Sequence, residues 1–154
     1  MPFLYKLTTR REPVGENTFG PTITNARGAA DFAHEVLYSK DCDLWREIAV
    51  AIYLDKERRV IGYEELSVGS PTTCTIDVRV ICRTALDVLA TSVVHVHNHP
   101  SGNPTPGRAD ILMAKRIGDA LKCIDVHLLD MVIIGDKEYY SFADEKSFRY
   151  RKNA

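Results

Sequence analysis

Three of the chain's five histidines stand at alternate positions in one short stretch, HVHNHPSGNPTPGRAD at residues 95–110. In an extended strand, residues two apart project to the same side, so His95, His97 and His99 point one way. Pro100 has no N–H to donate to a neighbouring strand and is expected to end this one. His97 and His99 are therefore expected at the C-terminal end of the strand, with their imidazoles directed at one point.

The turn that follows leads into a helix that carries a carboxylate. Pro106 is expected at the first helical position, which places Asp110 about one turn in, on the face that carries Ile117. A carboxylate on that inward face needs a partner. Two neutral imidazoles and one carboxylate, with a fourth position left for water, are the ligand set of a catalytic zinc site. We therefore predict that His97, His99 and Asp110 bind zinc.

Other zinc chemistries are excluded by residue spacing. The cysteines lie far apart with no C-x-x-C pair, which excludes a zinc ribbon and is typical of reduced thiols in a cytoplasmic protein; they are Cys42, Cys74, Cys82 and Cys123. A nucleobase deaminase needs H-x-E and P-C-x-x-C, and neither occurs. His95 lies deeper in the strand than the predicted ligands and is interpreted as their packed or hydrogen-bonded neighbour.

Hydrophobic periodicity predicts the elements that must position these residues. Strands are expected at 2–8, 46–55, 60–69, 91–98, 126–135 and 138–142, and helices at 26–39 (capped by Asn25), 77–90 (capped near Asp77) and 106–124, before a polar tail at 145–154. The inward stripes of the last two helices are expected to be Val80, Ile81, Ala85, Leu86 and Leu89, then Ile111, Ala114, Ile117, Leu121 and Ile124. Helices alternate with strands and a hairpin is inserted at 46–68. This pattern predicts an α/β fold, a mixed β-sheet with helices on both faces.

Composition sets the broad class of the protein. A chain of 154 residues with 45% hydrophobic and 27% charged residues is expected to form one domain over residues 1–154. The net charge of −1 gives no broad basic field for nucleic acid. No run approaches the ~18 apolar residues of a membrane span, and the N-terminus lacks the apolar core of a signal peptide. We expect a cytoplasmic protein that does not enter membranes.

The stretch H-N-H-P-S-G-N-P-T-P-x-x-x-D resembles the metal motif of the JAMM (MPN+) metalloproteases, and more specifically that of the bacterial RadC family, long labelled DNA-repair proteins. The segments IYLDKERRVIG, VGSPTTCTIDVRVICRTAL and DVHLLDMVIIG extend the resemblance over about residues 40–142. It implies an MPN/JAMM fold with the three-layer architecture of cytidine deaminases. It also implies a zinc-dependent hydrolase that cleaves an amide or isopeptide bond in a protein or peptide.

The resemblance further implies a catalytic glutamate upstream of the histidines. Glu47, at the start of the first long strand, matches it best, and Glu64 and Glu65 are rival positions. In such a site the zinc lowers the pKa of its water toward ~7 and polarises a carbonyl. Glu47 would take the water's proton and pass it to the leaving amine.

Two residues depart from the family pattern. Gly107 stands where the family has a serine that helps hold the water or the oxyanion, and Met131 stands where it commonly reads L-L-D-H. Loss of one such donor can cost ~10²–10³ in turnover. Thr105, expected to cap the helix, and Ser101, in the turn, are not convincing substitutes. The alternative functions are a non-catalytic MPN-type scaffold and a DNA-repair accessory protein with a degenerate site.

Direct binding of DNA has little support in the sequence. RadC proteins commonly carry an N-terminal helix-hairpin-helix segment, and the residues before about position 40 contain no paired G-x-G hairpins. The basic groups at 10–12 and 149–152 are interpreted as solvated charge. We therefore expect no helix-hairpin-helix segment in this chain.

Overall fold

The computed structural model describes residue 12 and residues 20–35, 46–68 and 76–150. Its three helices are α1 (Ala26–Ala33), α2 (Val78–Asp87) and α3 (Arg108–Lys122), and its six strands are β1 (Ile48–Leu54), β2 (Val60–Val68), β3 (Ser92–Asn98), β4 (His127–Ile134), β5 (Glu138–Ser141) and β6 (Lys146–Arg149). The predicted strand at 2–8 and the predicted helical residues 36–39 lie outside this part of the chain. No helix in the described ranges is long and apolar enough to cross a membrane.

The strands form one mixed sheet in the order β2-β1-β3-β4-β5-β6. The β1–β2 hairpin is antiparallel, as predicted for residues 46–68, and β1 is also antiparallel to β3. Strands β3 and β4 are parallel, and α3 makes the crossover between them. The strand β3 therefore lies between β1 and β4, and it ends at the predicted ligands.

Helices cover both faces of the sheet, which is why every residue of β1 and β3 is buried. On one face α1 contributes its small side chains to a core with alternate residues of β1, β3 and β4. On the other face α2 and α3 pack on the intervening residues, including Ala49, Ala51 and Val93. The predicted α/β fold, a mixed sheet with helices on both faces, is confirmed.

Side-chain caps begin the first two helices at the predicted residues. The Asn25 side chain accepts a hydrogen bond from the Gly28 N–H (2.9 Å), and the Asp77 carboxylate accepts one from the Arg79 N–H (3.0 Å). Each cap pairs an amide at the helix end that would otherwise lack a partner. These local hydrogen bonds explain why both helix starts could be predicted from the sequence.

The start of α3 differs from the prediction. The helix begins at Arg108, with Gly107 as its N-cap, so Pro106 precedes the helix. Gly107 has an extended backbone (φ −88°, ψ 175°), and a helix cannot continue through it. Asp110 is consequently the third helical residue, and it still points inward, with 8% of its surface exposed.

The predicted inward stripes are partly wrong. Leu86, Leu89 and Ile111 are 51%, 80% and 55% exposed. At 100° per residue, Leu86 is turned about 140° from the buried Ile81, and Ile111 about 120° from the buried Ile117. Leu89 lies beyond the end of α2. Of the other predicted positions, Ala85 and Leu121 are buried, and Val80, Ala114 and Ile124 are half-buried.

The predicted polar tail contains a strand. Residues Lys146–Arg149 form β6, which pairs antiparallel with β5 at the edge of the sheet. Within β6 only Phe148 packs inward, where its ring stacks on Tyr139 at 5.4 Å between centroids. An edge strand that is polar on most positions carries no apolar alternation, so the sequence pattern missed it.

Candidate metal centre

The candidate metal centre lies where β1 begins and the neighbouring strand β3 ends. In the antiparallel pairing of β1 with β3, Ala49 is opposite His97. Because side chains alternate along a strand, Glu47, two residues before Ala49, falls on the same face as His97. Asp110 reaches this point from the first turn of α3. Two strand ends and one helix start thus bring these four side chains together.

The three predicted ligands are close enough to bind one ion. Their donor atoms all lie within 4.8 Å of one another. His97 Nε2 is 2.9 Å from Asp110 Oδ1, and His99 Nε2 is 3.2 Å from Asp110 Oδ2. Two ligand atoms on a tetrahedral zinc, each at 2.0–2.1 Å, are about 3.3 Å apart. The spacing and the N, N, O donor set therefore fit a divalent metal.

A hydrogen bond orients the ring of His99. Its Nδ1 lies 2.9 Å from the backbone carbonyl oxygen of Asn103, which can only accept, so Nδ1 carries the proton. The Nε2 atom, which faces Asp110 at 3.2 Å, is then the nitrogen that would offer its lone pair to a bound metal. Metal-binding histidines usually have this second hydrogen bond, because it fixes the ring and its tautomer.

The Asp110 carboxylate is held by its own helix. Its Oδ2 atom accepts a hydrogen bond from the Gly107 N–H at 2.7 Å. Burial alone would raise the pKa of Asp110, but hydrogen bonds from His97, His99 and the Gly107 N–H hold that pKa well below its usual value. Asp110 is therefore ionised, as a metal ligand must be.

Glu47 lies beside the three ligands, with its Oε1 atom 3.8 Å from His97 Nε2. Burial raises the pKa of the Glu47 carboxyl above its usual value, and the nearby imidazoles of His97 and His99 partly oppose the rise. A raised pKa brings a carboxylate closer to the proton affinity that a general base needs near neutral pH. Its position and its environment both suit proton transfer.

The rival glutamates lie elsewhere. Glu64 accepts hydrogen bonds from the hydroxyls of Tyr53 (3.1 Å) and Thr84 (2.9 Å), which link β2 to β1 and α2. Glu65 is exposed. Of the three acids considered from the sequence, only Glu47 joins the histidines.

His95 is completely buried under the candidate metal centre, as a packed neighbour of His97. Their ring centroids are 5.3 Å apart, and His95 is paired with Met131 across the β3–β4 ladder. Burial holds the pKa of His95 well below its usual value, so the ring is neutral. Among the described residues, no hydrogen-bond partner faces either nitrogen of His95 or Nδ1 of His97. Met131 thus occupies a position beside the site with a side chain that cannot donate.

The hydroxyls considered near the motif do not replace a serine at 107. Ser101 Oγ accepts a weak hydrogen bond from the Asn103 N–H (3.3 Å) within the turn, and it is exposed. Thr105 is exposed and does not cap α3, contrary to the prediction, because Gly107 is the N-cap residue. A Cβ atom added to Gly107 would meet Asp110 Oδ2 at 3.5 Å, an ordinary contact. The position therefore has room for a serine that this chain lacks.

Asn98 is the residue that the sequence reasoning missed. It is 2% exposed, its Oδ1 accepts from the Ile48 N–H (2.7 Å), and its Nδ2 donates to the Arg46 carbonyl oxygen (2.9 Å). An asparagine inside a buried strand is the signal that could have found it, because asparagine is unfavourable in strands and a buried amide needs partners.

Comparison with known proteins identifies the family. Residues 23–147 match the family model described as a RadC-like JAB domain. The chain belongs to the RadC family. The family match that the sequence motifs predicted over about 40–142 is confirmed and is wider at both ends. The mixed six-stranded sheet with its helices agrees with an α/β fold of the JAB/MPN type.

The RadC relatives are bacterial and archaeal proteins that carry the name UPF0758 protein. One from Legionella pneumophila (strain Lens) is 41% identical over 105 residues, which cover 68% of this chain and 46% of that protein. One from Psychromonas ingrahamii is 37% identical over 134 residues (87% and 56%), and one from Methanococcoides burtonii is 35% identical over 117 residues (76% and 51%). The chain spans about half the length of these curated relatives.

Proposed function

We propose that the chain is a zinc-dependent hydrolase that cleaves an amide or isopeptide bond in a protein or peptide substrate. The observation that carries the proposal is the placement of the Glu47 carboxylate beside the predicted ligands, 3.8 Å from His97 Nε2. A purely structural metal site has four protein ligands and no free base. Three ligands with an adjacent carboxylate of raised pKa are the arrangement of a catalytic site.

Each residue has a distinct role in this proposal. His97, His99 and Asp110 would hold the zinc, which when bound supplies a Lewis acid that polarises a carbonyl group and acidifies a water molecule. Glu47 accepts the proton of the attacking water and returns it to the nitrogen of the leaving amine. The hydrogen bond from His99 Nδ1 to Asn103 keeps the second imidazole oriented during this exchange.

A non-catalytic scaffold is the second candidate function, and Gly107 is the observation that favours it. The side chain that would donate to a developing oxyanion in the family motif is absent, and the exposed hydroxyls of Ser101 and Thr105 do not replace it. A scaffold would depend on its surface, and the exchange of Glu47 for glutamine would leave its binding unchanged.

Zinc content tests the site directly. We expect near one zinc per chain in protein purified without chelator or nickel, and near none in His97→Ala. His127→Ala is the matched control, because His127 is an exposed histidine on β4 and should leave zinc content unchanged. No zinc in the wild type, even after zinc is added back, would rule out the hydrolase.

Hydrolysis of a library of quenched fluorescent peptides, and of a lysine isopeptide, tests the activity. Glu47→Gln should keep its zinc and lose about 10²-fold or more of the rate. Glu65→Gln, an exposed acid, should change neither quantity. Zinc-loaded wild type and Gly107→Ser that are both inactive would support the scaffold instead.

A further inference from the structure

The hydrogen-bond ladder between β1 and β3 stops just short of the candidate metal centre. Its last pair is Ala49 with His97, and the N–H of His99 bonds to the Ile134 carbonyl oxygen (2.9 Å), on the opposite side of β3. The β1–β3 ladder therefore ends before it reaches the level of Glu47. Continued pairing with β1 would have placed Glu47 opposite His99.

The Asn98 side chain bonds to β1 where the ladder stops. It accepts from the Ile48 N–H (2.7 Å) and donates to the Arg46 carbonyl oxygen (2.9 Å). These two peptide groups flank Glu47, one on each side. Asn98 is 2% exposed, and its bond to the Ile48 N–H is buried, where water does not compete for it. A planar amide with one donor and one acceptor can hold both groups at once, whereas a carboxylate can only accept and a short hydroxyl cannot reach both.

We propose that Asn98 is a positioning residue for Glu47: its amide fixes the backbone on both sides of Glu47 and so aims that carboxylate at the metal. The inference rests on the proposed hydrolase and adds one residue to it. A merely structural Asn98 would close the end of the sheet and affect stability alone. A positioning residue must also affect whatever depends on the Glu47 carboxylate.

Acetohydroxamic acid provides a probe that needs no known substrate. It binds a metal as its anion through two oxygens, and its proton passes to a neighbouring base, here Glu47. The experiment measures its dissociation constant on the cobalt-loaded protein from the visible spectrum of cobalt, for wild type, Glu47→Gln, Asn98→Ser and the double variant. Asn25→Ala is the matched control, since it removes another asparagine that bonds to backbone, far along the chain.

We expect all five proteins to bind the same amount of cobalt. Glu47→Gln should weaken acetohydroxamate about 10-fold or more, and Asn98→Ser should weaken it about 10-fold, as the loss of an orienting partner does at metal sites. In the Glu47→Gln background, Asn98→Ser should add nothing, because Asn98 acts through Glu47. Asn25→Ala should lower the melting temperature and leave the affinity unchanged. If Asn98→Ser does not fold, Asn98→Asp, which keeps the acceptor and loses the donor, takes its place.

The opposite outcomes separate the two proposals. Wild-type affinity in Asn98→Ser, or an equal weakening with and without Glu47, would overturn the positioning role and leave the hydrolase standing. Failure of the wild type to bind cobalt, or an affinity that does not depend on Glu47, would overturn both.

Discussion

Exchange of Gly107 for serine adds a hydroxyl at the N-cap of α3, next to the predicted ligand Asp110. The backbone at 107 (φ −88°, ψ 175°) is open to any residue, and the new Cβ would lie 3.5 Å from Asp110 Oδ2. The change therefore requires no displacement of its surroundings. Serine caps helices a few tenths of a kcal/mol better than glycine, and the loss of glycine's freedom in the unfolded chain adds about 0.4–1 kcal/mol.

These contributions together predict a gain of about 0.6–1.4 kcal/mol in the free energy of unfolding, or about 1–6 °C in melting temperature for a chain of this length. The serine hydroxyl is also expected to affect turnover. If it donates to the oxyanion in the proposed hydrolase, turnover should rise, by up to about 10²–10³-fold. Thermal unfolding of the metal-free protein measures the first effect, and peptide hydrolysis by the zinc-loaded protein measures the second.

Gly107→Ala is the control, because it adds the Cβ without the hydroxyl. Alanine is a poor N-cap, so we expect it to be about 1 kcal/mol less stable than Gly107→Ser and to show no rise in turnover. A melting temperature several degrees below wild type in Gly107→Ser would refute the steric reasoning. Improved stability with unchanged turnover, in a protein whose activity depends on Glu47, would show that a serine at this position is not the missing donor.

Three further predictions concern the metal, the pH and the core. Free zinc at 100 times its dissociation constant should stabilise the chain by about 2.7 kcal/mol. The melting temperature of the wild type should therefore rise with zinc and fall back with chelator, whereas that of His97→Ala should stay constant. An equal rise in the wild type and in His97→Ala would mean that zinc binds elsewhere. Burial raises the pKa of Asp130, and its hydrogen bond from Ser141 partly opposes the rise. Protonated Asp130 therefore stabilises the folded chain at low pH, and this contribution to the free energy of unfolding is lost as pH rises through the folded pKa. Urea unfolding should show wild type gaining on Asp130→Asn between pH 7 and pH 4, and the reverse trend would contradict this. Ala30, on the face of α1 that packs against the sheet, is 0% exposed. Ala30→Leu should therefore lower the free energy of unfolding in urea by about 1–3 kcal/mol, and wild-type stability would mean that α1 packs loosely.

The predicted ligands could be found in the sequence because they are close together in it. His97, His99 and Asp110 lie within one strand, one turn and one helix start, and local rules fix each of these elements. Glu47 lies fifty residues before His97, and the register of β1 on β3 brings it to the site. A single sequence does not reveal that register, so only the family resemblance pointed to Glu47.

Other features depend on packing that local patterns do not encode. The periodicity predicts both α2 and α3, but it does not fix which side of each helix faces the sheet, and Leu86 and Ile111 are exposed. The strand β6 has a polar sequence and is held by its pairing with β5. The partners of Asn98, which are Arg46 and Ile48, are backbone groups about fifty positions away, so no local pattern predicts these hydrogen bonds.

The two halves of the site differ in the length of chain that must close to form them. Asp110 is thirteen residues from His97, whereas Ile48 is fifty residues from Asn98. Closing the longer loop, between Ile48 and Asn98, costs more conformational entropy than closing the shorter one. This closure requires the pairing of β1 with β3. A partly folded chain can therefore gather its three ligands while it still lacks a base. In the proposed hydrolase, metal binding would therefore depend on local folding, whereas proton transfer by Glu47 would require the pairing of β1 with β3.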